Sequence, residues 1–184
     1  AFTKQLIGIN EVRGVQPRVE FNGLVSNGSK SSIFIGIGVN DREFDMKGPF
    51  LDVRAGQTLS NIHASRYDPA EPEVMLGVDL ASNLNVNVGD WITLLATTTD
   101  GALNAYDFKV RGIYSTGVPE LDKRQLYVHI HSAQSLLGSD KVSTLSVFLF
   151  DTNLTDKVRQ DVATILSNQK QSAPLSFSQN TKRC

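Results

Sequence analysis

The chain of 184 residues has one cysteine, Cys184, its last residue. No internal disulfide can form, so cysteine usage does not assign a compartment. No apolar run approaches the roughly 18 residues of a spanning helix. No basic segment followed by an apolar stretch marks a signal peptide. No cluster of four or more Lys/Arg offers itself to an anionic membrane. The net charge of −1 argues against a nucleic-acid partner, which would favour a basic face. Also missing are a G-x-S-x-G elbow, a phosphate loop and the spacing of metal ligands.

Hydrophobic residues at 40% and charged residues at 20% are ordinary for a globular domain. The length suits one large domain or two small subdomains with a sizeable core. The text opens on Ala1 rather than Met, and both ends are expected to be cut sites of a longer protein.

Phe2, Leu6, Ile9 and Val12 fall near one helix face, with Gly14 a natural stop. An extended run follows over 18–26. Asn27-Gly28 is a hairpin signal. Ile33, Ile35, Ile37 and Val39 alternate in the return strand and are expected to form its buried face. Asp41–Met46 suits a helical turn, Val53–Gln57 a turn approach, and Tyr67–Pro72 an exposed loop.

The middle is the most informative stretch. Gly77–Leu84 reads as a helix, and Gly89-Asp90 as a turn. Ile92 and Leu94 share one face of a strand, and Tyr106, Phe108 and Val110 one face of the next. Leu126, Val128 and Ile130 mark a third strand, and Ser132 can cap a helix ending near Gly138. Trp91 is expected in the core or at a subdomain interface. Leu145, Val147 and Leu149 then share a strand face. Leu154, Val158, Val162, Ile165 and Leu166 stripe a helix, and Pro174–Phe177 suits a last strand. The ends read α-β-β and β-α-β around a β-rich insert. A split β-α-β fold begins with a strand, which would precede Ala1.

The pieces Leu76-Gly77 with Leu80-Ala81, Val88-Gly89-Asp90, Phe108–Ile113, Gly117 with Asp122, and Ala133–Leu137, in this order, resemble the extracytoplasmic core domain of MacB/FtsX-type ABC transporter permeases, a group that includes LolC and LolE. The resemblance implies an α+β fold: a porter-like α/β subdomain from residues 1–50 plus 140–184, and an inserted β-rich subdomain from 51–139. It implies a place between two membrane helices, on the periplasmic (extracytoplasmic) face of the inner membrane. It further implies a non-catalytic coupling or partner-docking role, with no cofactor in this chain and ATP hydrolysed by a separate cytoplasmic ATPase subunit or domain. Expected partners are the flanking membrane helices, that ATPase, and a second permease subunit or a periplasmic protein; no nucleic acid is expected. LolC-like members carry a proline-containing hook that captures a periplasmic lipoprotein chaperone. The stretch Thr97–Asp107 here has no proline and reads as a plain hairpin connection. That departure counts against a LolC-type role and leaves LolE-like release and MacB-like export open.

The candidate docking loops are Thr97–Asp107, with Thr98, Asp100 and Asn104, and Tyr114–Asp122, with Pro119, Glu120 and Asp122. Polar, turn-rich connections are where partners bind. Asp122 matches a family position and is expected to fix the loop before its strand. Two other classes compete. One is a soluble extracytoplasmic ligand-binding or receptor domain with a cleft. The other is a metal enzyme using His129 and His131, whose i, i+2 spacing puts both on one strand face. The competing account of the histidines is plain solvent exposure. Glu120 with Asp122 would be an acid pair only if environment split their pKa values. Gly36 and Gly38 lack the third glycine of a dinucleotide site and suit close packing instead.

Overall fold

Strands of unusual length dominate the chain, and their register closes them into a ring. The computed structural model describes residues 2–47, 51–61 and 71–169. In order these form α1 (Phe2–Ile7), β1 (Val12–Ser26), β2 (Ser31–Val39), α2 (Arg42–Lys47), β3 (Asp52–Gly56), β4 (Glu73–Gly77), α3 (Val78–Leu84), β5 (Trp91–Thr97), β6 (Leu103–Ser115), α4 (Pro119–Asp122), β7 (Gln125–His129), α5 (Ile130–Leu137), β8 (Thr144–Leu149), a 3₁₀ turn (Thr152–Leu154) and α6 (Thr155–Gln169). The fold is α+β. The expected strand at Pro174–Phe177 lies outside the described residues, as do most of the Tyr67–Pro72 loop, His63 and Cys184.

The chain divides into two compact units, residues 1–15 with 147–184, and residues 16–146. The larger unit holds the ring. β1 pairs antiparallel with β2, β2 parallel with β7, and β7 antiparallel with β4. β4 pairs parallel with β6, β6 antiparallel with β5, and β5 antiparallel with β1. The path therefore returns to its start. β3 adds to β6, and β8 to β1, outside the ring. Closure removes the open edges that invite mispairing.

Alternate residues of every ring strand point to one apolar interior: Val19, Phe21 and Val25 of β1, Phe34 of β2, Val74 and Leu76 of β4, Ile92 and Leu94 of β5, Phe108 and Val110 of β6, and Leu126 and Val128 of β7. Leu80 and Leu84 of α3, with Ala133 and Leu136 of α5, join the same cluster. The return strand reverses its expected orientation. Phe34, Gly36 and Gly38 face the interior, while Ile33 and Ile35 are exposed and Ile37 is half-buried. Interior space explains this. A Cβ on Gly36 would sit 2.5 Å from the Phe21 ring, and one on Gly38 2.6 Å from Ala133 Cβ. The strand's small face is the only one that fits against those neighbours.

A bulge in β6 makes a second, outer cluster. Val74 pairs with Val110 but Met75 with Gly112, so Arg111 is skipped and the strand changes phase. Tyr114 thereby joins Val39, Leu59, Met75 and Tyr127 on the outside, with Phe44 of α2 edge-on to Tyr127. Glu43 of α2 is fully buried and ion-paired with Arg18 of β1.

In the smaller unit α1 ends at Ile7 and β1 starts at Val12, so the chain leaves the helix well before Gly14. Leu6 and Val158 are buried there, Val162 is half-buried, and Glu11 is ion-paired with Lys157. Val158 rather than Val162 is the centre of the α6 stripe.

Two substitutions test this packing. At the seam, a Cβ on Gly23 would lie 1.9 Å from the Leu95 carbonyl oxygen and 3.1 Å from the Phe34 ring. Gly23→Ala should therefore destabilise by about 3 kcal/mol or more, read as a lower urea midpoint. Val158→Asp buries an unpaired carboxylate and should cost several kcal/mol, roughly the top of the single-mutant range. An unchanged midpoint in either variant would contradict the assigned packing.

Candidate functional site

The two loops singled out in the sequence lie at opposite ends of β6, a strand of 13 residues. At about 3.3 Å per residue they are roughly 40 Å apart and form no common surface.

The first is a tight hairpin turn. The Thr98 backbone N–H donates to the Ala102 carbonyl at 2.7 Å, and the Thr98 hydroxyl donates to Asp100. Gly101 takes φ +88°, which the turn needs. Only Asp100 of the three candidate residues stands fully in solvent. Asn104 is half-buried and its side-chain amide donates to the Leu136 carbonyl at 3.1 Å, while Thr99 N–H donates to Leu137 O at 3.0 Å. These bonds satisfy carbonyls at the end of α5. Asn104 thus fastens a helix rather than presenting a free amide.

The second loop is built around a buried acid. Asp122 is 4% exposed. It accepts hydrogen bonds from Ser115 Oγ at 2.6 Å, Thr116 N at 2.8 Å and Thr116 Oγ1 at 2.7 Å. Burial by itself raises its pKa, but these bonds and the charge of Arg54 leave it below the usual carboxylate range. Gly77 permits the close approach, since a Cβ there would sit 2.3 Å from the Asp122 carbonyl oxygen. Pro119 opens the one-turn helix α4, where its missing N–H costs nothing. Glu120 is exposed and 3.3 Å from Lys123, and Val118 is also exposed. Burial therefore splits the acid pair: Asp122 is structural and Glu120 solvated. Ser115 and Thr116 spend their hydroxyls on Asp122.

The histidines do not share a strand face. β7 ends at His129 and the chain turns into α5 at Ile130, so the two side chains diverge. His131 is exposed, whereas His129 is 1% exposed, contrary to the expectation of solvent. His129 itself precedes α5, so Ser132 lies inside the helix and does not cap it. His129 stands opposite Glu73, one step beyond the Val74–Val128 pair, with Nε2 3.8 Å from Glu73 Oε2. Glu73 also accepts from Ser60 N at 2.7 Å and Ser60 Oγ at 2.8 Å, and lies 3.7 Å from Arg111. Burial pushes its pKa up, but His129, Ser60 and Arg111 together bring it down to about 2. No reading of the sequence links Ser60, Glu73, Arg111 and His129. Sheet register alone assembles them. Among the described residues, no group of three or more His, Cys, Asp or Glu is placed to hold a metal ion.

Beside this cluster is an open pocket of about 480 Å³, lined by Gly56, Gln57, Glu71, Glu73, Lys109 and Arg111 among others. Its charges answer one another. Lys109 pairs with Glu71 at 2.9 Å, and Arg111 donates to Gln57 at 2.6 Å. Trp91, expected in the core, is 46% exposed on the rim of β5, with Lys109 Nζ 5.8 Å from its ring centroid.

Residues 2–165 match the model of the MacB-like periplasmic core domain, and the chain belongs to that family. It is the extracytoplasmic domain of a MacB/LolE-like ABC transporter permease of the inner membrane. It is similar to the lipoprotein-releasing system transmembrane protein LolE of Haemophilus influenzae, 32% identical over 91 residues, which are 50% of this chain and 20% of that protein. It is also similar to the corresponding LolC of Xylella fastidiosa, 30% identical over 104 residues, 54% of this chain and 25% of that protein. The chain thus spans about a quarter or less of these relatives. In fold it resembles the extracellular domain of the noncanonic ABC-type transporter YknZ from Gram-positive bacteria, with TM-score 0.64, 15% identity, and coverage of 94% of this chain and 83% of that one. The periplasmic region of MacB from Actinobacillus actinomycetemcomitans gives TM-score 0.64 at 16% identity, over 92% of this chain and 73% of that one.

Glu73 supplies a pH test. Its folded pKa near 2 lies below the model value of 4.5, so its contribution is complete above about 4.5 and is lost as pH falls through about 2. Glu73→Gln should cost about 1–3 kcal/mol at pH 7. The gap to the parent should shrink steadily below pH 4.5 in urea titrations. A gap independent of pH would show that the charge of Glu73 does not contribute.

Proposed function

We propose that this domain is a non-catalytic coupling and docking body of its permease. Motion generated by ATP hydrolysis on a separate cytoplasmic subunit or domain reaches it through the membrane segments of the permease, and it passes that motion to an extracytoplasmic partner. No cofactor is needed in this chain for that task. The observation that carries the reading is the loop from Ser115 to Asp122. It is fastened by a buried carboxylate with three hydrogen bonds, yet it presents Val118, Pro119 and Glu120 outward. A docking loop that is already ordered loses little entropy on binding. The closed ring behind it is suited to rigid-body movement, in which few contacts change.

The short turn between β5 and β6 bears on the type of permease. β5 ends at Thr97 and β6 begins at Leu103, which leaves no room for a chaperone-capturing hook. LolE-like release or MacB-like export is therefore the role we favour, although identity to LolE and to LolC is nearly equal.

A photo-crosslinking residue placed singly at Val118, Pro119 or Glu120 of the intact permease in cells should trap an extracytoplasmic protein. The same residue at exposed Asp100, on the opposite end of β6, should trap it at least about fivefold less. Equal yields from both ends, or none from the Val118–Glu120 loop, would defeat the docking assignment.

A further inference from the structure

The outer surface of the ring carries a row that neither the docking loop nor the two apolar clusters uses. Ile33 of β2 stands opposite Leu24 of β1, Leu24 opposite Leu95 of β5, and Leu95 opposite Ala105 of β6. Four neighbouring strands thus each place one apolar residue in line. Ile33 is 62% exposed and Leu24 50%; Ala105 is exposed and Leu95 half-buried. Ile35, 48% exposed, and Leu103, 70% exposed, flank the row on its far side. No charged residue interrupts it. β-Branched and leucyl side chains on an outward face are a liability unless something covers them.

The next row, Ser31, Ser26, Thr93 and Asp107, is polar, and it shows what fits. Lys30 adjoins its β2 end and Asp107 forms its β6 end. Both are exposed and neither has an ion-pair partner among the described residues. A two-fold axis lying in this face and running along the strands exchanges the two ends. It lays the apolar row on its own copy and brings Lys30 of each copy over Asp107 of the other. An isologous contact needs this self-complementarity.

We propose that this face is the contact between two copies of this chain. This goes beyond the docking role and does not depend on it. Four strands at about 4.8 Å spacing span only about 14 Å, so the patch is well short of the roughly 800 Å² per partner of a standard interface. The contact is therefore weak between free domains, with a Kd on the order of 0.1–1 mM, and is effective where copies are held at the millimolar local concentrations of tethered modules.

Sedimentation equilibrium of the 184-residue chain at 0.05–2 mM tests this. The parent should show reversible dimerisation, and Ile33→Asp should weaken it at least about tenfold. Lys30→Glu and Asp107→Lys should each weaken it about threefold or more, while the double variant restores it to within about twofold of the parent, because each swapped charge again faces its opposite. These sites are exposed, so unchanged thermal midpoints confirm that all variants fold. A chain monomeric throughout the range would overturn the proposal. So would dimerisation indifferent to Ile33→Asp, or a double variant weaker than both singles. None of these results bears on crosslinking from Val118–Glu120, so the two readings stand or fall separately.

Discussion

The seam between β1 and its two neighbours is the constraint on which the larger unit depends. β1 pairs with β2 along Val19–Ser26 and with β5 along Leu24–Ser26, and only together do these pairings close the ring. Gly23 sits at this seam with the Leu95 carbonyl against its α-carbon and the Phe34 ring beside it. Any side chain there forces β5 away, and an open ring would expose both the backbone groups of two edges and the interior apolar residues. The interior follows from closure. Phe21 occupies the space over Gly36, and Ala133 of α5 that over Gly38, so bulky and absent side chains alternate across the ring.

Polar groups that closure buries then become the fasteners of the exterior. Asp122 holds the loop after β6, Glu73 holds Ser60 near the start of β4, and Glu43 ties α2 to β1 through Arg18. Each is a carboxylate in a poorly solvated place, and each persists because donors surround it. An unpartnered carboxylate in any of these positions would be more costly than an apolar residue. The outcome is a body whose loops are ordered without a disulfide or a metal. That is the property a domain needs if it is to transmit force across an aqueous compartment rather than absorb it.

Much of this architecture is legible in the residues themselves. The Asn27-Gly28 and Gly89-Asp90 turns, the helix before Leu84, the αL stop at Gly138 and the helix stripe centred on Val158 rest on local chemistry that works at any place in a fold. So does the order of motifs that marks the MacB-like family. The structural role of Asp122 was legible only through that family resemblance, because its hydrogen-bond partners, six and seven residues away, follow no capping spacing.

What tertiary structure decided is which side of each pattern faces inward, and what meets across strands. Period-two alternation states that two faces differ, but not which is buried. In β2 the isoleucines look like the core, yet the ring's interior has room only for Phe34 and two glycines. Trp91 looks like core, yet it stands on the rim. His129 and His131 look alike, yet the strand ends between them, so one is buried opposite Glu73 and the other is in solvent. The row from Ile33 to Ala105 exists only because register aligns residues 33, 24, 95 and 105. Local propensity acts over a few neighbours along the chain, whereas register and closure are set by the sum of contacts between strands that the sequence holds far apart.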